Sequence, residues 1–151
     1  LIGLRQLTSF EGQAAMELEF IQDGSNTDKC YPFHITEATG KDGTSRRIIE
    51  LKSIVLAIIE DMRVGISVNE ISAAFHNTLA EMIVVIAKTT AEKRVVLSGG
   101  CFQNKTLLEK AIQRLSMEGF QPYWHRSVPP NDGGISLWQI MAALKEQNIC
   151  V

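Results

Sequence analysis

The chain has 151 residues, 45% hydrophobic and 21% charged, with 15 basic and 17 acidic side chains for a formal net charge of −2. Such a chain can bury one ordinary core; it is neither disordered nor collagen-like, and its interspersed charges form no basic field for nucleic acid. The most apolar stretch, residues 82–87, is far shorter than the ~20 residues of a bilayer span, and three scattered cysteines without a CxxC pair imply a reducing, cytoplasmic setting.

Ser9 precedes a helix-like run over residues 10–21, in which Ala14, Ala15, Leu18 and Ile21 recur at helical spacing. Gly12, Ala14 and Ala15 are small enough for close packing on a neighbour, while Glu11 and Gln13 would otherwise face a cleft. Residues 23–29 are polar and rich in turn formers, and read as an exposed loop. Residues 31–35 read as a short strand kept at an edge by Pro32. Lys41-Asp42-Gly43-Thr44 is a turn signal, and residues 46–51 form the returning strand of a hairpin.

A helix is predicted over residues 52–63, stopped by Gly65. Ser67 with Glu70 is a capping box that opens a long helix to about residue 90. Its apolar stripe is Val68, Ile71, Phe75, Leu79, Met82 and Ile86. A β-branched strand follows at 94–97, then a helix at 105–117 stopped by Gly119, a strand at 121–125, a loop at 128–132 and an amphipathic helix from 134 to about 147. This alternation predicts an α/β fold, a parallel or mixed sheet with helices on its faces. Ligands of such sheets sit beyond the carboxyl ends of the strands, and two glycine-rich loops, residues 98–104 and 129–134, fall on that rim.

Ser98-Gly99-Gly100-Cys101-Phe102-Gln103-Asn104 joins a strand to a helix. Paired glycines admit a ligand to the backbone, and the free amides of the next helix favour an anion. The same residues also suit a tight turn with Asn104 as N-cap. Gly99, Asn104, Lys105 and Thr106 fall one glycine short of a phosphate loop, GxxxxGK[ST], which disfavours that motif. In Pro129-Pro130-Asn131-Asp132-Gly133-Gly134, Asp132 is placed to cap a helix, bind a metal or orient a phosphate-bound cation.

The three histidines form no HExxH, HxH or HxxxH pair. His76 lies at the margin of the long helix's stripe, and His125 ends a strand after Tyr123 and Trp124. Cys101 reads as a small residue packed within its loop, since no base adjoins it.

Taken in order, Phe10-Glu11-Gly12-Gln13-Ala14-Ala15-Met16-Glu17-Leu18-Glu19, Tyr31-Pro32-Phe33, Ala74-Phe75-His76-Asn77-Thr78-Leu79-Ala80 and the two loops resemble the C-terminal part of the HypF family of hydrogenase-maturation carbamoyltransferases. The resemblance implies an ASKHA (actin/sugar kinase/Hsp70-like) lobe, related to the TsaD-type threonylcarbamoyl-transfer proteins. It implies an enzyme that makes carbamoyl adenylate from carbamoyl phosphate and ATP. The carbamoyl group then passes to the C-terminal cysteine of HypE, toward the cyanide ligand of the [NiFe]-hydrogenase.

Carried over, the resemblance makes Ser98, Gly99, Gly100, Asn104 and Gly133 nucleotide contacts and Asp132 a ligand of a divalent metal (zinc, iron or magnesium); it assigns no catalytic side chain. The family's HxxxH ligands lie upstream of this region, so the remaining ligands are expected outside the chain. The chain begins at Leu1 without Met, and residues 1–151 are expected to be one lobe of a longer protein, inactive alone. Trp138 replaces a customary Gly and Ala74 a frequent Arg, departures expected to narrow the cleft or mark a divergent member. The rival expectations are a docking or homodimerisation module and another ASKHA-type nucleotide-dependent transferase, for threonylcarbamoyl transfer or phosphorylation.

Overall fold

Short-range chemistry accounts for most element boundaries in a computed structural model of the chain, which describes residues 1–146 except 23, 26, 41 and 42. Asp23 of the expected loop, Lys41 and Asp42 of the expected turn, Gln147 and Cys150 lie outside the described residues. The chain divides into two units, Leu1–Met82 and Ile83–Val151.

In the first unit, helix α1 spans Gln13–Phe20. It starts three residues later than its periodicity predicts, because Gly12 has φ 81° and stands outside the helical region. The Ser9 amide donates to Gln13 Oε1 at 2.7 Å, which turns that side chain back on its own entry segment. Ala14 and Leu18 line an apolar cavity of about 260 Å³ with Ile58, Ile71 and Phe75, but Gly12, Ala14 and Ala15 are exposed and α1 has no buried residue, so the close packing expected of the small residues is not seen.

Strand β1 is His34–Thr39 rather than residues 31–35. Pro32 cannot donate to a ladder, and Tyr31 is buried instead, its amide donating to Thr78 Oγ1 at 2.8 Å. β1 pairs antiparallel with β2, Ser45–Glu50, from His34↔Glu50 to Thr39↔Ser45. Helix α2, Lys52–Arg63, ends where predicted. Gly65 at φ 82° lets its own amide reach Met62 O and the Ile66 amide reach Asp61 O, satisfying two terminal carbonyls.

Helix α3 runs Val68–Lys88, with the Ser67 hydroxyl donating to Glu70 Oε2 at 2.6 Å at its start. At 21 residues it is long and apolar enough, by length and composition, to cross a bilayer, which corrects the shorter estimate from residues 82–87. More than half of it is buried within the protein, however, and Ser72, His76 and Thr78 hydrogen-bond inside the chain. It is a core helix. Ile71, Ala74 and Met82 join Tyr31, Ile54 and Ile58 in the first unit's core. Beside them the buried Asp61 accepts from Tyr31 Oη at 2.8 Å and from Lys29 Nζ at 2.6 Å.

In the second unit, β3 (Arg94–Leu97), α4 (Lys105–Met117) and β4 (Gln121–Trp124) form a βαβ unit with parallel strands, Arg94↔Gln121 to Leu97↔Trp124. The chain's mixed strand directions are thus divided between two two-stranded ladders. Gly119, at φ 78°, closes α4 as predicted: its amide reaches Ser116 O, and that of Phe120 reaches Leu115 O. Phe120 and Leu115 then pack with Val84, Ala87, Leu97 and Ala111 in the second core. On the other face of the strands, Val96 is 70% and Tyr123 51% exposed. Helix α5, Ile135–Glu146, leaves Ile135, Leu137, Trp138, Ile140 and Met141 exposed.

Candidate functional site

The parallel register sets Ser98 and His125 side by side just past the last paired residues, Leu97 and Trp124. Their side chains meet: Ser98 Oγ lies 2.8 Å from His125 Nε2. The next residue, Gly99, has φ 104° and ψ 161°, a region open essentially to glycine alone. Residues Gly100–Gln103 then make one 3-10 turn. Asn104 closes it and caps α4, its side chain accepting from the Leu107 amide at 2.8 Å. Phe102 packs on the second core, whereas Cys101 is exposed; the expected packing role for Cys101 is therefore incorrect, because the 3-10 turn directs its neighbour inward instead.

The second loop is tied to the first. The Gly99 amide donates to the Pro130 carbonyl at 2.9 Å. A short turn, Asp132–Gly134, leads into α5 and is capped by Asn131, whose Oδ1 accepts from the Gly133 amide at 3.1 Å. Capping thus falls to Asn131 and not to Asp132, which already sits inside the turn. The Asp132 carboxylate is exposed and has no hydrogen-bond or ion-pair partner among the described residues. Gly134 is buried, and a Cβ there would lie 2.7 Å from Pro129 O.

The glycines fit a ligand cradle in different ways. A Cβ on Gly99 or Gly100 would meet nothing within 4 Å, so the space over both is open. Gly99 is needed for its backbone conformation, but Gly100 has no positive φ, and no atom among the described residues lies within 4 Å of where its Cβ would stand. The metal reading is fitted less fully. Among the described residues no three His, Cys, Asp or Glu side chains converge, so Asp132 can be one ligand of a shared site and no more.

Other sequence candidates lie elsewhere. Lys105 is paired with Glu109 at 3.7 Å on the surface of α4, as expected of a helix residue and not of a phosphate-loop lysine. His76 belongs to the first unit, is 2% exposed, and has Nδ1 2.9 Å from Ser72 O. Ala74 is buried in that unit's core. Trp138 stacks edge-on to His125, centroids 5.6 Å apart, and lines a cavity of about 310 Å³ with Val96, Tyr123, Trp124 and Val128. Sequence reasoning missed the Ser98–His125 pair; the available signal was that both residues fall at the carboxyl ends of strands in a sheet read as parallel or mixed.

Two glycine-bearing loops joined over the carboxyl edge of a βαβ unit define an α/β protein with a candidate anion site on that rim. Residues 1–139 match the family described as "Carbamoyltransferase, Kae1-like Domain, second subdomain". The chain belongs to the HypF carbamoyltransferase family. It is 37% identical over 151 residues to carbamoyltransferase HypF of Synechocystis sp., covering 99% of this chain and 19% of that protein. To carbamoyltransferase HypF2 of Cupriavidus necator it is 29% identical over 165 residues, covering 96% of this chain and 20% of the relative.

A crystal structure of full-length HypF in a phosphate- and nucleotide-bound form superposes with a TM-score of 0.80 at 42% identity, over 95% of this chain and 19% of that one. The HypF of T. kodakarensis shares the fold at a TM-score of 0.70 and 23% identity, over 97% of this chain and 19% of that one. The chain spans about a fifth of the length of these relatives.

Proposed function

We propose that this chain supplies the phosphate-facing loops of a HypF-type carbamoyltransferase. The observation that carries the reading is the Gly99–Pro130 hydrogen bond, which gathers both loops beside open backbone at Gly100. The Gly100 amide, the Ser98 hydroxyl and the N-terminus of α4 after Asn104 suit the phosphate of ATP or carbamoyl adenylate, while Gly99 and Gly133, whose amides are held by Pro130 O and Asn131 Oδ1, shape the backbone beside it. Carbamoyl phosphate and ATP are the substrates of the whole protein in this reading, and the C-terminal cysteine of HypE is the acceptor. The product leads to the cyanide ligand of [NiFe]-hydrogenase, and the protein works in the cytoplasm.

Asp132 is one ligand of a divalent metal, the others coming from outside this chain, and residues 1–151 form one lobe that is inactive alone. The metal, when bound, supplies positive charge against the negative charge that develops during acyl transfer. The chain's own residues hold and orient the phosphate and keep the backbone open to it.

Gly100→Val in the full-length protein is the test. A Cβ there meets nothing within 4 Å among the described residues and needs no unusual φ, so the thermal midpoint is expected to change little. Affinity for a non-hydrolysable ATP analogue, read by calorimetry, falls by about tenfold or more, a difference of roughly 1.4 kcal/mol. Unchanged affinity overturns the cradle. The apolar side chains exposed on α5 favour a second reading, docking against another copy of the chain. Light scattering that finds only monomer removes it.

A further inference from the structure

We infer that His125 is a positioning residue, which acts through Ser98 to aim a hydroxyl proton at a phosphoryl oxygen held by the glycine loop. This rests on the nucleotide reading above and goes beyond it by naming how one contact is oriented. Three observations converge. Ser98 is exposed at the carboxyl end of β3, yet its Oγ is held 2.8 Å from His125 Nε2. His125 is half-buried, and the ring of Trp138 stands edge-on against it at 5.6 Å, so the imidazole is walled in by a residue of α5. Gly99, the residue after Ser98, is itself pinned to Pro130. The hydroxyl therefore sits on a segment fixed from two sides, next to the open backbone of Gly100.

The proton arithmetic gives the pair its direction. A serine hydroxyl has one proton and two lone pairs. If His125 accepted at Nε2, the Ser98 proton would be spent on the ring and only lone pairs would face a phosphate, which repels them. If Nε2–H donates to Ser98 Oγ, the serine proton is free for the phosphate oxygen, a charge-assisted hydrogen bond. His125 Nδ1 has no partner among the described residues, so none of them fixes the other tautomer and Nε2 can carry the proton. A bound phosphate selects that arrangement.

The full-length protein tests this with a non-hydrolysable ATP analogue as probe, reading the component of binding that Gly100→Val removes. Ser98→Ala and His125→Ala are each expected to weaken that component about tenfold. The double variant is expected to be no weaker than Ser98→Ala alone, because His125 acts only through the hydroxyl. His125→Gln, whose amide N–H can stand in for Nε2–H, is expected to recover most of the affinity. Additive losses in the double variant, a His125→Gln variant as weak as His125→Ala, or unaltered binding by His125→Ala would each overturn the positioning role. If Gly100→Val itself leaves binding intact, the cradle fails and the inference with it. If Gly100→Val abolishes binding while His125→Ala does not, only the inference falls.

Discussion

The amide of Gly99 and the carbonyl of Pro130 are hydrogen-bonded at 2.9 Å, and this bond makes one site of two loops. It depends on the extended, positive-φ conformation of Gly99, which a residue with a Cβ adopts at a cost of about 1–3 kcal/mol. Its consequence is that Ser98, Gly100 and the turn at Asp132 are presented from one edge of the β3–β4 ladder.

Gly134→Ala will destabilise the second unit. The added methyl would lie 2.7 Å from Pro129 O, 3.2 Å from Val128 Cγ1 and 3.3 Å from Trp138 Nε1, and backbone cannot yield as a flexible side chain can. A loss of about 1–3 kcal/mol in urea denaturation is expected. Gly133→Ala will cost less, since the nearest atom is the end of the Asn131 side chain at 3.1 Å.

Asn104→Ala will remove the cap of α4 and lower stability by about 1 kcal/mol, whereas Asn104→Ser will keep most of it. Thermal midpoints of the three proteins check this. Equal losses for Ala and Ser would show that the Leu107 amide does not depend on the cap.

Asp61 sets an acid limit on the first unit. Burial pushes its carboxyl up, but hydrogen bonds from Lys29 and Tyr31 and the charge of Lys29 outweigh burial and hold it below the ordinary range. A depressed folded-state value gives stability that is present above the unfolded value, about 3.9, and is lost as pH falls through the folded one. The wild-type chain will therefore lose stability below about pH 4, while Asp61→Asn shows a flatter acid limb. At pH 7 Asp61→Asn is expected to be less stable by about 2 kcal/mol.

Asp132→Ala will leave stability within about 0.5 kcal/mol of wild type, because the carboxylate is exposed and makes no partner among the described residues. In the full-length protein it will lower bound divalent metal, measured by elemental analysis. Unchanged metal content removes Asp132 as a ligand.

The extents of α2, β3 and α4 were legible because each is bounded by local chemistry. Gly65 and Gly119 take positive φ, and Asn104 offers an oxygen to the Leu107 amide. Where the reading failed, competition from other residues was the reason, distant ones at the start of β1 and a neighbour at Asp132. The segment before β1 gives up its strand hydrogen bonds because Thr78 takes the Tyr31 amide and Asp61 its hydroxyl. Asp132 loses the capping position because Asn131 reaches the Gly133 amide first. The helix α3 was legible, but its apolar length was underestimated because its apolar residues are interrupted by Ser72, His76 and Thr78, which only folding supplies with partners.

By itself the sequence determined the alternation of helices and strands, the two glycine-bearing loops and the resemblance that places the chain in its family. These follow from periodicity, backbone freedom and residue order, which act over a few positions. Only the tertiary structure decided that Gly99 bonds to Pro130 and that Ser98 faces His125, 27 residues away. Such pairs depend on strand register and on helices packing against the ladder, and no local pattern encodes which distant group arrives opposite a given hydroxyl.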